Sequence, residues 1–142
     1  MPRTMFKPES STTVVPDLDD RELVQIMSLG RFALGLALFV APRRALRAWT
    51  GDVDPSHGAR LAARGLGARD MAIAVGTLVA LDARGSGSAV RGWIEAGVMA
   101  DASDTIGVLA QWRDMPGLRR FLWLFTSGGS VILGLRLAQA LD

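Results

Sequence analysis

The stretch Glu95–Trp112, EAGVMADASDTIGVLAQW, is apolar at most positions and reads as one helix, yet Glu95, Asp101 and Asp104 lie inside it. Acids in so apolar a helix are costly unless something opposite receives them. Their partners must come from other segments. The fold therefore turns on what the rest of the chain can bring to the same depth.

The chain has 142 residues, enough for one domain. Hydrophobic residues make up 49% of it and charged residues 21%, and the mean hydropathy is +0.26. The polar outer faces of a water-soluble helical domain normally pull that average below zero. Cysteine and tyrosine are absent, and His57 is the single histidine. Disulfides, thiolate metal sites, cysteine nucleophiles and multi-histidine metal centres are thereby excluded. No cofactor and no metal is expected. Lys7 is the one lysine, the net charge is +2, and the arginines are spread along the chain. That is not the concentrated basic, aromatic surface of a nucleic-acid binder.

Residues 1–20, MPRTMFKPESSTTVVPDLDD, lack hydrophobic periodicity and read as a flexible tail. They have no apolar core followed by a small-residue cleavage site, so they do not read as a signal peptide. Residues 21–142 read as the membrane domain. Apolar segments run over about 20–41, 59–81, 89–112 and 121–141, with Gly-, Pro- and Arg-rich connections between them. In the first, roughly 20 residues at 1.5 Å each cross about 30 Å of hydrocarbon before Pro42 stops the helix. The second reaches that length only if RGLGARD, residues 64–70, lies within it, which puts Arg69 and Asp70 inside the bilayer. This pattern predicts an all-α protein, a four-helix transmembrane bundle running up-down-up-down.

Arg43, Arg44, Arg47, Arg60 and Arg64 cluster around the first connection, and Arg113, Arg119 and Arg120 in the third. The other side holds Arg3, Lys7, Arg21, Arg84 and Arg91. The bias predicts a multi-pass protein of the cell inner (plasma) membrane, with these two connections cytoplasmic and both termini outside. Trp49, Trp93, Trp112 and Trp123 fall near segment ends, as interfacial tryptophans do. Arg43, Arg44 and Arg47 are placed to anchor that face at lipid phosphates.

Depth along each segment supplies the missing partners. Arg31, Arg69, Asp70, Asp101 and Asp104 all fall within roughly one helical turn of the midplane. Asp101 and Asp104 are three apart and share a face. Two arginines against three aspartates leave one negative charge over, so one aspartate is expected to keep its proton at neutral pH. A neutral carboxylic acid beside an anchored carboxylate is what general-acid chemistry requires. Arginine can hold the ionised partners through two bonds at once. Glu95 lies nearer the outer end, within reach of Arg91 or Arg136. A structural reading stands beside the catalytic one: buried Arg–Asp pairs can simply register helices against one another. His57, Asp52 and Asp54 sit in a Gly/Asp/Pro loop and read as solvated. The glycines of RGLGARD lack the strand and Lys-Ser/Thr of a phosphate loop, so they read as packing. Gly128 and Gly129 read as a kink or close contact.

At RLAARGLGARDMAIAVG (residues 60–76) and EAGVMADASDTIGVLA (residues 95–110) the chain resembles an uncharacterised family of small four-helix integral membrane proteins common in actinobacteria. The Gly-x-Arg-Asp of Gly67–Asp70, Gly76, and the paired acids Asp101 and Asp104 carry the resemblance. It implies a membrane bundle in which the Arg–Asp layer matters, over about residues 20–140, and it supplies no activity.

The expectation is an intramembrane enzyme acting on a lipophilic small molecule by acid–base chemistry, through isomerisation, cyclisation or epoxide opening. Asp101 or Asp104 would be the acid and the other the base or water orienter. Arg69 and Arg31 would fix the carboxylates, and Asp70 would orient an arginine. Glu95, Trp93 and Met99 would contact substrate. Aromatic content of 6% is low for a cation-stabilising terpene cyclase. The alternatives are a small proton-coupled transporter, or an accessory subunit of a membrane complex. The expected partners are the lipid bilayer, a lipophilic ligand and a further copy of the chain, with no nucleic acid.

Overall fold

Carboxylates favour the positive end of a helix, and Asp20 and Glu22 stand in the first turn of α1, Asp20–Val40. The computed structural model describes residues 19–82, 87–115 and 117–140. The expected tail, up to residue 18, lies outside them. After α1 the backbone leaves the helix at Ala41 and at once begins α2, Pro42–Trp49. Proline suits this position because its fixed φ is already helical and its missing N–H is one that a first turn leaves unpaired. Thr50 follows α2, and its hydroxyl donates to the Leu46 carbonyl at 2.9 Å. Gly51 then adopts φ +86° beside the Arg119 guanidinium, a conformation that other residues enter only at a cost. Arg119 Nη1 donates to the Arg47 carbonyl at 3.0 Å and ties the start of the last helix to the end of α2.

Three long helices follow among the described residues: α3, His57–Asp82; α4, Gly87–Ala110; and α5, Gly117–Ala140. Ser56 caps α3, its hydroxyl accepting the Ala59 N–H at 3.1 Å. The helices form two close pairs, α1 with α3 and α4 with α5. The pairs meet through α3 and α4, while α1 and α5 scarcely touch.

Glycines set the pair spacings. A Cβ on Gly35 would lie 2.7 Å from the Gly67 carbonyl oxygen and 3.0 Å from the Met71 nitrogen, so the α1 and α3 backbones cross there with no room for a side chain. A Cβ on Gly134 would lie 2.6 Å from Val98 Cγ2, which fixes α5 against α4. Gly76 receives the Trp93 ring. Nothing comes within 4 Å of a Cβ at Gly128 or Gly129, and α5 runs through both unbroken.

The core mixes apolar side chains such as Val24, Leu38 and Leu137 with small and polar ones, while many large apolar side chains lie outside. Buried positions include Ser28, Gly35, Gly67, Thr77, Gly97, Asp101, Ser127 and Gly134. Met99, Phe125 and Ile132 are each more than 70% exposed. Small and polar residues inside, with large apolar ones outside, is the arrangement that lipid favours. One apolar cluster, Val24, Leu81, Val90, Ile94 and Leu137, closes the end where α1 starts and α5 finishes.

The sequence expectation of a four-helix transmembrane bundle is corrected in two respects. The chain has five helices among its described residues, because Pro42 ends one helix and starts another. Of these, two are long and apolar enough to cross a membrane, α1 and α5. Helices α3 and α4 fall short because of their charges: Arg60, Arg64, Arg69, Asp70 and Asp82 on the one, Arg91, Glu95, Asp101 and Asp104 on the other. Only 22% of each span-forming window is buried, so α1 and α5 present most of their apolar surface outward.

Candidate functional site

Five charged side chains from three helices form one continuous ionic chain. Arg31 on α1 donates through Nη2 to Asp101 on α4 and lies with Nη1 3.5 Å from Asp70 Oδ1 on α3. Asp70 Oδ1 also accepts from Arg69 Nε at 3.1 Å and from Arg69 Nη2 at 3.0 Å. Arg69 then grips Asp104 on α4 with Nη1 to Oδ1 at 3.1 Å and Nη2 to Oδ2 at 2.8 Å. The order is Asp101–Arg31–Asp70–Arg69–Asp104, with acids and arginines alternating along it.

Local helix geometry explains the arrangement. Asp101 and Asp104 are one turn apart on one face of α4, so they offer two acceptors at successive heights. Arg69 and Asp70 are adjacent on α3, and the long guanidinium arm curls back onto its neighbour while reaching across to α4. Gly97, one turn before Asp101, makes room for Arg31: a Cβ there would already stand 3.4 Å from Nη2. The chain is graded in exposure. Side chains at the Asp101 end are 11–16% exposed, while Arg69 and Asp104 reach 29% and 25%.

A cleft of about 220 Å³ ends on this chain. Arg31, Asp70, Asp101 and Asp104 form its floor; Met27, Gly30 and Leu34 of α1 form one wall, and Thr126, Ser127 and Ser130 of α5 the other. Trp49 and Trp123 close one end, their rings tilted by 56° with centroids 4.1 Å apart. The cleft follows from the weak contact between α1 and α5, and so it lies between the two helices long and apolar enough to cross a membrane. A second space of about 30 Å³, room for a water or two, lies between Arg31, Asp101, Thr77 and Trp93. Ser127 is fixed in the wall: it accepts from the Thr105 hydroxyl at 2.9 Å and donates to the Trp123 carbonyl at 2.9 Å. Among the described residues the Trp123 Nε1 hydrogen is buried without a partner.

The five charges that sequence depth places in one layer meet. The three expected substrate contacts do not gather at the cleft. Glu95 pairs with Arg91 at 2.7 Å, one turn away on its own helix. Met99 is 74% exposed on the outer face. Trp93 packs on Gly76 and borders the smaller space. Sequence reasoning missed Trp49 and Trp123 as a facing pair, since both read as interfacial anchors. It also missed the hydroxyls of α5. Their signal was present in Thr126, Ser127 and Ser130, three hydroxyls inside an apolar span. Among the described residues, no group of three or more His, Asp or Glu stands where it would hold a metal ion.

No family model matches the chain, and no curated protein or solved structure matches it.

Proposed function

We propose that this is a small multi-pass enzyme of the plasma membrane, anchored by α1 and α5, that rearranges a lipophilic substrate by acid–base chemistry in the cleft between them. The observation that carries this reading is the cleft itself. A purely structural ion chain would seal against its neighbours, whereas this one forms the floor of a space walled by Met27 and Leu34 on one side and by three hydroxyls on the other. At about 220 Å³ the cleft is below the usual 300–1,000 Å³ of a site that encloses a whole drug-sized ligand. It suits the reacting part of a longer molecule whose remainder runs out between α1 and α5.

The contacts divide the roles. Asp104 is gripped through both oxygens by Arg69 and serves as the carboxylate. Asp101 meets one arginine and is the least exposed carboxylate of the chain, so it carries the proton that balances two arginines against three aspartates. In an isomerisation, Asp101 gives its proton to one carbon of a double bond while Asp104 removes one from the carbon next to the other, and exchange with solvent then returns a proton to Asp101 and takes one from Asp104. The double bond moves and no co-reactant is consumed. In epoxide opening, the Asp101 proton goes to the ring oxygen as the C–O bond breaks, and water gives one proton to Asp104 as its oxygen adds at carbon. Asp70 holds Arg31 and Arg69 in register.

The test is incubation of the purified full chain in lipid nanodiscs with a lipophilic extract of the native membrane, in deuterated water. The Asp101 proton exchanges with solvent, so isomerisation should leave a solvent deuterium on a product carbon; a parallel incubation in oxygen-18 water should leave a solvent oxygen on the product of epoxide opening, and both labels should be absent with Asp101→Asn. No labelled product above the background of empty nanodiscs counts against the enzyme.

A second reading, a proton-coupled transporter, is favoured by one observation. Asp104 and Trp123 border both the cleft and an outer concavity of about 350 Å³ beyond it. Movement of Trp123 would join the two. Substrate-dependent proton uptake by vesicles holding the protein, without product, would select this reading.

A further inference from the structure

Where α1 stops and α3 starts, a concavity of about 620 Å³ is lined by Arg43, Arg44, Arg60 and Arg64, with His57 at its edge. Among the described residues, the one carboxylate salt-bridged to these arginines is Asp54, 3.0 Å from Arg43. Those two side chains are 61% and 86% exposed, so water and salt screen the pair and leave its charge available to others. Arg64 is positioned differently. Its Nε donates at 3.2 Å to the Phe39 carbonyl, in the last turn of α1 where carbonyls lack a helical partner. That bond holds the guanidinium over the helix end and leaves its two Nη groups for a ligand. The start of α3 adds little of its own, because Ser56 already takes the Ala59 N–H.

The concavity is not uniformly polar. Val40 and Leu61 also line it, at 67% and 72% exposure. Val40 is the last residue of α1, one of the two helices apolar enough to span a bilayer. We infer that this concavity binds the phosphate of an anionic phospholipid headgroup. Guanidinium groups take phosphate oxygens in paired hydrogen bonds, and basic pockets beside membrane-spanning helices have the charge and depth to hold such headgroups. A lipid places its phosphate among the arginines and its chains over Val40, Leu61 and the outer face of α1. A free phosphate would satisfy the arginines and leave the two apolar side chains in water. The inference rests on insertion of α1 in a membrane and is independent of the chemistry at the ion chain.

The test compares Arg60→Gln with Arg113→Gln, two substitutions that remove the same charge at the same end of the molecule. Among the described residues neither arginine makes a salt bridge, and Arg113 does not border the concavity. The full chain is placed in vesicles of phosphatidylcholine with and without phosphatidylglycerol, extracted in mild detergent, and read by native mass spectrometry. Wild type should retain phosphatidylglycerol over phosphatidylcholine. Arg60→Gln should lower that retention about fivefold, the effect of about 1 kcal/mol per arginine near an anionic surface. Arg113→Gln should change it less than twofold, and thermal unfolding should confirm that both variants fold. Equal losses would mean diffuse surface charge and overturn the inference, as would equal retention of the two lipids. Saturable binding of inorganic phosphate in pure phosphatidylcholine, lost with Arg60→Gln, would assign the concavity to a soluble phosphate compound and overturn the headgroup assignment. Failure to enter either kind of vesicle would instead remove the membrane reading on which the proposed function also stands.

Discussion

Arg69 holds Asp104 with two parallel hydrogen bonds, Nη1 to Oδ1 at 3.1 Å and Nη2 to Oδ2 at 2.8 Å, across the gap between α3 and α4. A lysine keeps the charge and cannot reproduce the fork. Arg69→Lys should therefore lower thermal stability in detergent modestly and Arg69→Gln more, by about 2–3 kcal/mol, since these side chains are a quarter exposed and not fully buried. In a double-mutant cycle with Asp104→Asn the two losses should not add, with a coupling of about 1–3 kcal/mol. Additive losses would mean that the pair contributes nothing in solution.

The crossing of α1 and α3 at Gly35 and Gly67 sets where Arg31 meets Asp70. Gly35→Ala should destabilise the protein by about 1–3 kcal/mol, because the new methyl would stand 2.7 Å from a backbone oxygen that cannot give way cheaply. Gly30→Ala, on the same helix, has nothing within 4 Å. It should be neutral or stabilising by up to about 1 kcal/mol, from helix propensity. Thermal unfolding of the two variants side by side checks the contrast.

Phe125 and Ile132 of α5 are 77% and 73% exposed on the outer surface. If that surface faces lipid, Phe125→Asp or Ile132→Asp should cost about 2–3 kcal/mol of insertion, the range for an aspartate near a span centre. A translocon insertion assay on α5 with its flanks reads this directly. Unchanged insertion would point to a protein partner on that face.

How far the sequence specifies all this differs from residue to residue. Helices are legible because the apolar runs are long and their connections short. The meeting of Arg31, Asp70 and Asp101 is legible because each residue advances a helix by a fixed 1.5 Å, so sequence position gives depth. Rotation about the helix axis is harder to read. A helix with small residues inside and large apolar ones outside shows little periodicity, and so Trp49 and Trp123 read as anchors when they face each other. Pro42 was legible as a stop and hidden as a start, since the same fixed φ serves both ends. The Glu95–Arg91 contact is a local one-turn pair, and such a pair competes with any longer-range use of Glu95.

Ser130 borders both the cleft and the small inner space and donates to the Thr126 carbonyl at 2.8 Å. Ser130→Phe should fill the cleft while the ion chain stays in place. Thermal stability should hold within about 1 kcal/mol, since the ring enters existing space. Any bound lipophilic molecule should be displaced.

The most direct measurement is mass spectrometry of lipophilic molecules that co-purify with the full chain in mild detergent. It compares wild type, Asp101→Asn, Asp104→Asn and Ser130→Phe, each first shown to be folded. The account predicts a discrete species on wild type that Ser130→Phe excludes and that the aspartate variants lose or hold in altered ratio. The same species held equally by all four folded proteins, or variants that unfold with no species on wild type, would contradict it and make the ion chain a device for registering helices.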